Sequence, residues 1–205
     1  DGEAPAALSG GGAAARPAPV AVLFSGGLDS MLLAYFAHVH LPEGVPIDLA
    51  SVCFAGGDSP DRATAQQGVS ELARVCPGRL WRLIEVNRTL QDLDAVRTRL
   101  LALLRPSCTY MDLNIGAALW HAAGAEGPCQ LHRGGQPVGQ MEGALRSQAR
   151  VVLMGNGADE QCGGYGRHRT AFAHGGCQGL AQELKLDVQR LWTRNLGRDD
   201  RCIAD

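Results

Sequence analysis

The chain has 205 residues, 45% of them hydrophobic and 20% charged, with a formal net charge of −2. That composition is ordinary for one or two globular domains with enough chain to bury a sizeable core. The near-neutral balance, without a basic block or stripe, argues against a nucleic-acid partner, and no apolar run approaches the ~20 residues of a membrane span.

Residues 1–18 are mostly Ala, Gly and Pro without periodicity, which predicts a flexible linker ahead of one domain over 19–205. Val20–Phe24 is a continuous apolar run, as in a buried strand. It breaks into Ser25-Gly26-Gly27-Leu28-Asp29-Ser30, after which a helix is expected from Asp29 to about Val39. A second strand is expected over Ile47–Phe54, followed by a loop over Gly56–Pro60 and a helix from Asp61 to about Val75. Leu80–Val86 reads as a third strand. Thr89 suits the N-cap of an amphipathic helix running to about Leu104. Met111–Ala123 is another helix. Residues 124–140 are rich in Gly, Gln and Pro and are expected to be an insertion loop, with a weak helix over 141–148. Arg150–Met154 is a fourth strand, and it too runs into glycines: Gly155-Asn156-Gly157-Ala158-Asp159-Glu160. The last helix is expected from about Leu180 to Asn195. Strands alternating with helices predict an α/β fold, a parallel sheet flanked by helices on both faces. Such sheets bind ligands at the carboxyl ends of their strands, where both glycine turns lie.

The first turn is a strand, a glycine bend and a helix start in one line. That geometry aims backbone N–H groups and the positive helix end at an anion. Gly26 and Gly27 permit close approach and positive φ, and Ser25 and Ser30 add hydroxyls. Asp29 is a carboxylate beside the expected phosphates, which calls for a cation such as Mg²⁺ between them. In the second turn Asp159 is a second acid after a buried strand. Together the two aspartates suit metal binding on a triphosphate. The dinucleotide pattern fails because Glu160 stands where its third glycine belongs, and no Walker A string or nucleophile elbow occurs.

Seven cysteines without a Cys-x-x-Cys pair argue against a disulfide framework or a zinc site and favour a reducing compartment. His38 and His40 are expected to meet the last carbonyls of the first helix. Arg167 and Arg169, and later Arg194, Arg198 and Arg201, suit phosphate clamping, yet each taken singly reads as solvated surface, the later ones paired with Asp199 and Asp200. The chain starts at Asp1 and stops at Asp205 straight after a dense charged run, and is read as part of a longer protein cut short at its C-terminus.

The string Ser25–Ser30, with Gly155-x-Gly-Ala-Asp-Glu-x-x-x-Gly-Tyr165 and the arginine/aspartate run Arg194–Arg201, resembles the synthetase domain of the asparagine synthetase family. The resemblance covers about residues 18–205. It implies an adenine nucleotide alpha-hydrolase-like fold of the PP-loop ATP pyrophosphatase group. It also implies an ATP-dependent amide ligase. The aspartate side-chain carboxylate attacks the α-phosphate, pyrophosphate leaves, and ammonia displaces AMP from the acyl-adenylate. The ammonia would come from glutamine, through a glutamine amidotransferase domain of the full-length chain, in the cytoplasm. By position, Ser25, Gly26, Gly27, Asp29 and Ser30 hold pyrophosphate and Mg²⁺, and Phe24, Phe54, Met154 and Gly155 contact ATP. Asp159 is the second metal aspartate. One departure stands out. The family pattern is Gly-Glu-Gly, and its glutamate is implicated in forming the acyl-adenylate; Asn156 replaces it here. An amide is neither a general base nor a charge. A degenerate nucleotide-binding or scaffold relative without complete synthetase activity is therefore the alternative, and restoring glutamate at 156 is expected to raise activity if the loss is local.

Overall fold

The computed structural model describes residues 16–54, 59–107 and 109–205. The expected linker over 1–18 therefore lies almost wholly outside the described residues, as does most of the loop after Phe54. The strands are β1 (Val20–Leu23), β2 (Ile47–Cys53), β3 (Trp81–Asn87), β4 (Glu126–Arg133), β5 (Gln136–Arg146) and β6 (Val151–Leu153). The helices are α1 (Leu28–His40), α2 (Pro60–Val75), α3 (Leu90–Leu103), α4 (Tyr110–Gly124), α5 (Ala158–Cys162), α6 (Gly166–Arg194) and α7 (Leu196–Ala204). Among the described residues no helix is long and apolar enough to cross a membrane.

One sheet has the order β5-β4-β3-β2-β1-β6. From β1 the chain steps outward through β2 and β3 in parallel, and β6 then returns to the other side of β1, also parallel. The order reverses between β1 and β6, which is where doubly wound sheets open a crevice at their strand ends. Alternation along the strands sorts the core. Val22, Phe24, Leu49 and Leu83 pack with Ala34 and Ala37 of α1 and Val69 and Leu72 of α2. Leu23 points the other way, toward Leu100, Leu104, Leu113 and Ala117 on α3 and α4 and Cys202 on α7. Both faces of the sheet are thus covered by helices, the expected architecture.

The far end of the sheet departs from expectation. Residues 126–146 form an antiparallel hairpin, with β4 paired to β3 and β5 paired to β4, in place of an insertion loop and a weak helix. Arg133 pairs with Gln136, leaving Gly134-Gly135 as a two-residue turn at φ 63° and 82°. Two adjacent positive-φ residues are what a type I′ hairpin turn requires, so Gly-Gly between polar and apolar residues was the overlooked signal. Cys129 is buried against Ile84 and Val86, whereas nearly all of β5 is exposed. The hairpin is tied down at its exit: the Ser147 hydroxyl donates to Asp48 at 2.6 Å, and Asp48 also accepts from Arg82 Nε at 2.6 Å in a buried ion pair.

The helix ends are explained locally. Thr89 caps α3 as expected, in a reciprocal pair with Asp92. The end of α1 is closed by Arg79 rather than by its histidines. Arg79 donates to the carbonyls of His38, Leu41, Pro42 and Val45, and His38 Nδ1 itself accepts from Arg79 Nε at 3.0 Å. A buried guanidinium with five donors satisfies orphan carbonyls that an imidazole reaches one at a time. At the C-terminal side the helix expected from about Leu180 to Asn195 is the part of α6 after its break at Gly176; the part from Gly166 and the directly following α7 were not expected.

Candidate functional site

The turn after β1 is shaped by a collision avoided. Gly26 adopts φ +78°, and a Cβ there would run into the Thr64 carbonyl of α2. Its glycine is thus explained by packing against α2 as well as by backbone conformation. Gly27 differs from expectation: at φ −70° it needs no left-handed freedom. It is the N-cap of α1 and offers no side-chain acceptor, so the first turn of α1 carries no side-chain cap. Ser25 Oγ accepts from Gly27 N–H at 3.2 Å and lies 3.4 Å from Ser30 Oγ, while Ser30 Oγ donates to the Gly27 carbonyl at 3.0 Å. The turn is therefore closed by its own residues.

The turn after β6 lies beside it. A Cβ on Gly155 would sit 3.0 Å from Cβ of Asp29, so the two loops touch. A Cβ on Gly164 would collide with the Asp159 carboxylate, which folds back over that glycine. Glu160 is buried and accepts from the Tyr165 hydroxyl at 2.8 Å. Burial first, then the bond to Glu160, pushes the Tyr165 phenol up to about 12, so it stays a proton donor. Arg167 stacks over the Tyr165 ring at 4.0 Å and pairs with buried Asp187, which His168 Nε2 also contacts at 2.8 Å.

Behind this turn runs a polar chain whose middle, Arg198 and Asp199, is buried. Asn156 Nδ2 donates to Asp199 Oδ2 at 2.7 Å. Arg198 Nε donates to Asp199 Oδ1 at 2.7 Å, and Arg198 Nη1 donates to Asp112 Oδ1 at 2.8 Å. Thr109 Oγ1 in turn donates to Asp112 Oδ2 at 2.6 Å. Arg198 and Asp199 are 6% and 3% exposed, so the expectation of a solvated surface pair fails for them. Burial pulls the Arg198 pKa down, but its two carboxylate partners more than offset this and hold it charged.

Both turns open on one cavity of about 480 Å³. Phe24, Ser25, Asp29, Ser30, Met154, Gly155, Asn156 and Asp159 line it, which gathers most of the residues singled out in the sequence. Gly26, Gly27 and Phe54 are not among its lining residues. Phe54 packs edge-on against His121, with ring centroids 5.7 Å apart, in the cluster under α3 and α4. The lining also holds Ser51, Asp61, Glu160, Tyr165, Asn195 and Arg198, which were not assigned to the site from sequence. Glu160 and Tyr165 stand inside the quoted motif, so their signal was present. Asp61 gave none beyond an acid at a helix start. Among the described residues the wall is acidic: Asp29, Asp61, Asp159 and Glu160 face one guanidinium, Arg198, already shared by two carboxylates.

Comparison with known proteins fits this geometry. The family model for asparagine synthase matches residues 14–75. Asparagine synthetase domain-containing protein 1 of Homo sapiens is 37% identical over 233 residues, covering 93% of this chain and 35% of that protein. Its counterpart in Gallus gallus is also 37% identical, over 95% of this chain and 36% of its own length. The putative asparagine synthetase [glutamine-hydrolyzing] 1 of Methanocaldococcus jannaschii is 49% identical over 53 residues, 26% of this chain and 10% of that protein. The chain thus spans about a third of the length of the animal relatives it matches.

Proposed function

This chain belongs to the asparagine synthase family, and on that premise we propose that it is the nucleotide-binding part of an ATP-dependent amide ligase. One observation carries the reading. Two glycine turns 130 residues apart in the chain end neighbouring parallel strands and line one cavity, each bringing an aspartate. In this reading Ser25, Gly26, Gly27 and Ser30, with the uncapped start of α1, hold the pyrophosphate of ATP. Phe24, Met154 and Gly155 border the nucleotide; Phe54, packed against His121, is left out of this set. The substrate carboxylate, that of aspartate by kinship, bonds to the α-phosphorus as the bond to the pyrophosphate oxygen breaks. Ammonia then adds to the acyl carbon, AMP leaves with its phosphate oxygen, and the lost proton passes to solvent. A glutamine amidotransferase domain in the full-length protein would supply that ammonia, and a cytoplasmic location accords with the free cysteines among the described residues.

The donor set fits a divalent cation. Four carboxylates and one engaged guanidinium repel a bare polyphosphate, so the nucleotide must arrive with its own positive charge. Asp29 and Asp159 are the residues that would hold Mg²⁺. Among the described residues no three His, Cys, Asp or Glu side chains form a ready metal cage, so phosphate oxygens and water would complete the shell. Bound there, the ion neutralises charge on the departing pyrophosphate. A second reading, nucleotide binding without complete synthesis, is favoured by Asn156, whose amide stands where the reaction would gain from a charge.

The deciding experiment is aspartate-dependent exchange of labelled pyrophosphate into ATP by the full-length protein with Mg²⁺. Exchange is expected for a ligase. Its absence with ATP binding retained establishes the second reading, and loss of both removes the nucleotide site. Asp29→Asn is expected to weaken Mg·ATP about tenfold or more in calorimetry; an unchanged dissociation constant removes its metal role.

A further inference from the structure

The Asn156 amide is exposed to the cavity on one side and pinned on the other. Its pin is Asp199, a buried carboxylate on α7 whose second oxygen is taken by Arg198. An ionised carboxylate only accepts hydrogen bonds, so it dictates which end of the amide faces it. The NH₂ must point at Asp199, and the carbonyl Oδ1 is the end left for a ligand. Arg198 is fixed in turn by Asp112, and Asp112 by Thr109 at the cap of α4, so the orientation is anchored through three elements. The sum of charge on Asp112, Arg198 and Asp199 is one negative.

Resting on the nucleotide-binding reading above, we propose that Asp199 is a positioning residue that acts through Asn156. It turns the Asn156 carbonyl toward the cavity as an acceptor for a primary ammonium group of the second substrate. The pocket thereby selects an amino acid over the same dicarboxylate lacking nitrogen. Geometry makes the proposal reversible. In Asp199→Asn, the Arg198 Nε–H still needs an acceptor, so the new amide at 199 gives it the carbonyl and turns its NH₂ toward Asn156. The Asn156 amide must then flip and present N–H groups to the ligand. In the exchange variant Asn156→Asp with Asp199→Asn, the new carboxylate accepts from position 199 and again offers oxygen to the cavity.

The test uses full-length protein saturated with Mg²⁺ and a non-hydrolysable ATP analogue. Calorimetry compares L-aspartate with succinate, which has both carboxylates but no amino group. The wild type is expected to favour aspartate, Asp199→Asn to lose that preference by about tenfold, and the exchange variant to recover it. A fold defect would weaken both ligands together and leave the ratio unchanged. Should Asp199→Asn fail to fold, the exchange variant alone decides: retained preference supports the inference and lost preference overturns it. An unchanged ratio in folded Asp199→Asn, or a wild type that binds the analogue without preferring aspartate, overturns this inference and leaves the nucleotide site standing. Failure of the wild type to bind the analogue overturns both.

Discussion

The two loops that meet at the cavity are built on opposite plans. The turn after β1 is closed by its own residues: Ser25, Gly27 and Ser30 bond one another over two to five positions. The turn after β6 is held from afar, by Asp199 from 43 residues away, and behind it by the Arg198–Asp112 pair across 86. A loop closed locally can be recognised in a string of six letters. One closed by distant partners shows only its near half. The difference also predicts how each wall fails.

Removing the distant brace should cost most. Arg198→Met leaves buried Asp199 and half-buried Asp112 without their shared cation, and is expected to lose about 3–5 kcal/mol in denaturant unfolding. A loss under about 1 kcal/mol would show that the second wall does not depend on that pair. Gly26→Ala strikes the local wall. It forces a non-glycine residue into the left-handed region and against a backbone carbonyl, at an expected cost of about 2–4 kcal/mol. If that variant is as stable as the wild type, the packing of the first turn on α2 is looser than drawn. Asn156→Glu sharpens the contrast. A carboxylate there meets Asp199 across the 2.7 Å now spanned by a hydrogen bond, so about 1–3 kcal/mol of stability should go. The expectation that glutamate raises activity assumed a local loss; with Asp199 opposite, the single change should leave pyrophosphate exchange no higher. A rise would show that Asp199 moves aside.

The smallest effect is one of pH. The Thr109 hydroxyl, and then Arg198, hold the Asp112 carboxyl below its ordinary 3.8, although burial opposes them. Its folded pKa is depressed, so its contribution is complete above the ordinary value and fades as pH falls through the lower folded one. Hydrogen exchange of α7 should therefore rise before that of α1 on acidification below about pH 4. Simultaneous loss would mean that the two walls open as one unit.

Much of the molecule was legible because its signals are short-ranged. The parallel strands announce themselves by apolar runs, α3 by Thr89, and the turn after β1 by its serines and glycines. Asp29 and Asp159 come together because β1 and β6 are neighbours, which the order of elements permits but does not dictate. Three features escaped for a common reason. Arg79 satisfies carbonyls some forty positions upstream, Arg198 is buried by partners on other helices, and the hairpin over 126–146 is held by pairing with β3. The partners that bury Arg79 and Arg198 leave no period near those residues. The Gly134-Gly135 turn did leave a motif, and composition masked it.

That hairpin has a bearing on how the protein behaves in a crowded solution. A sheet ending at β3 would present a seven-residue rim, four of its residues apolar, whose free amides invite a neighbour's strand. Instead the outermost ribbon is β5, broken in register against β4 and almost entirely wetted. At the opposite margin β6 is only three residues long. Neither border is a straight template, so growth into fibrils by strand addition is blocked at both ends.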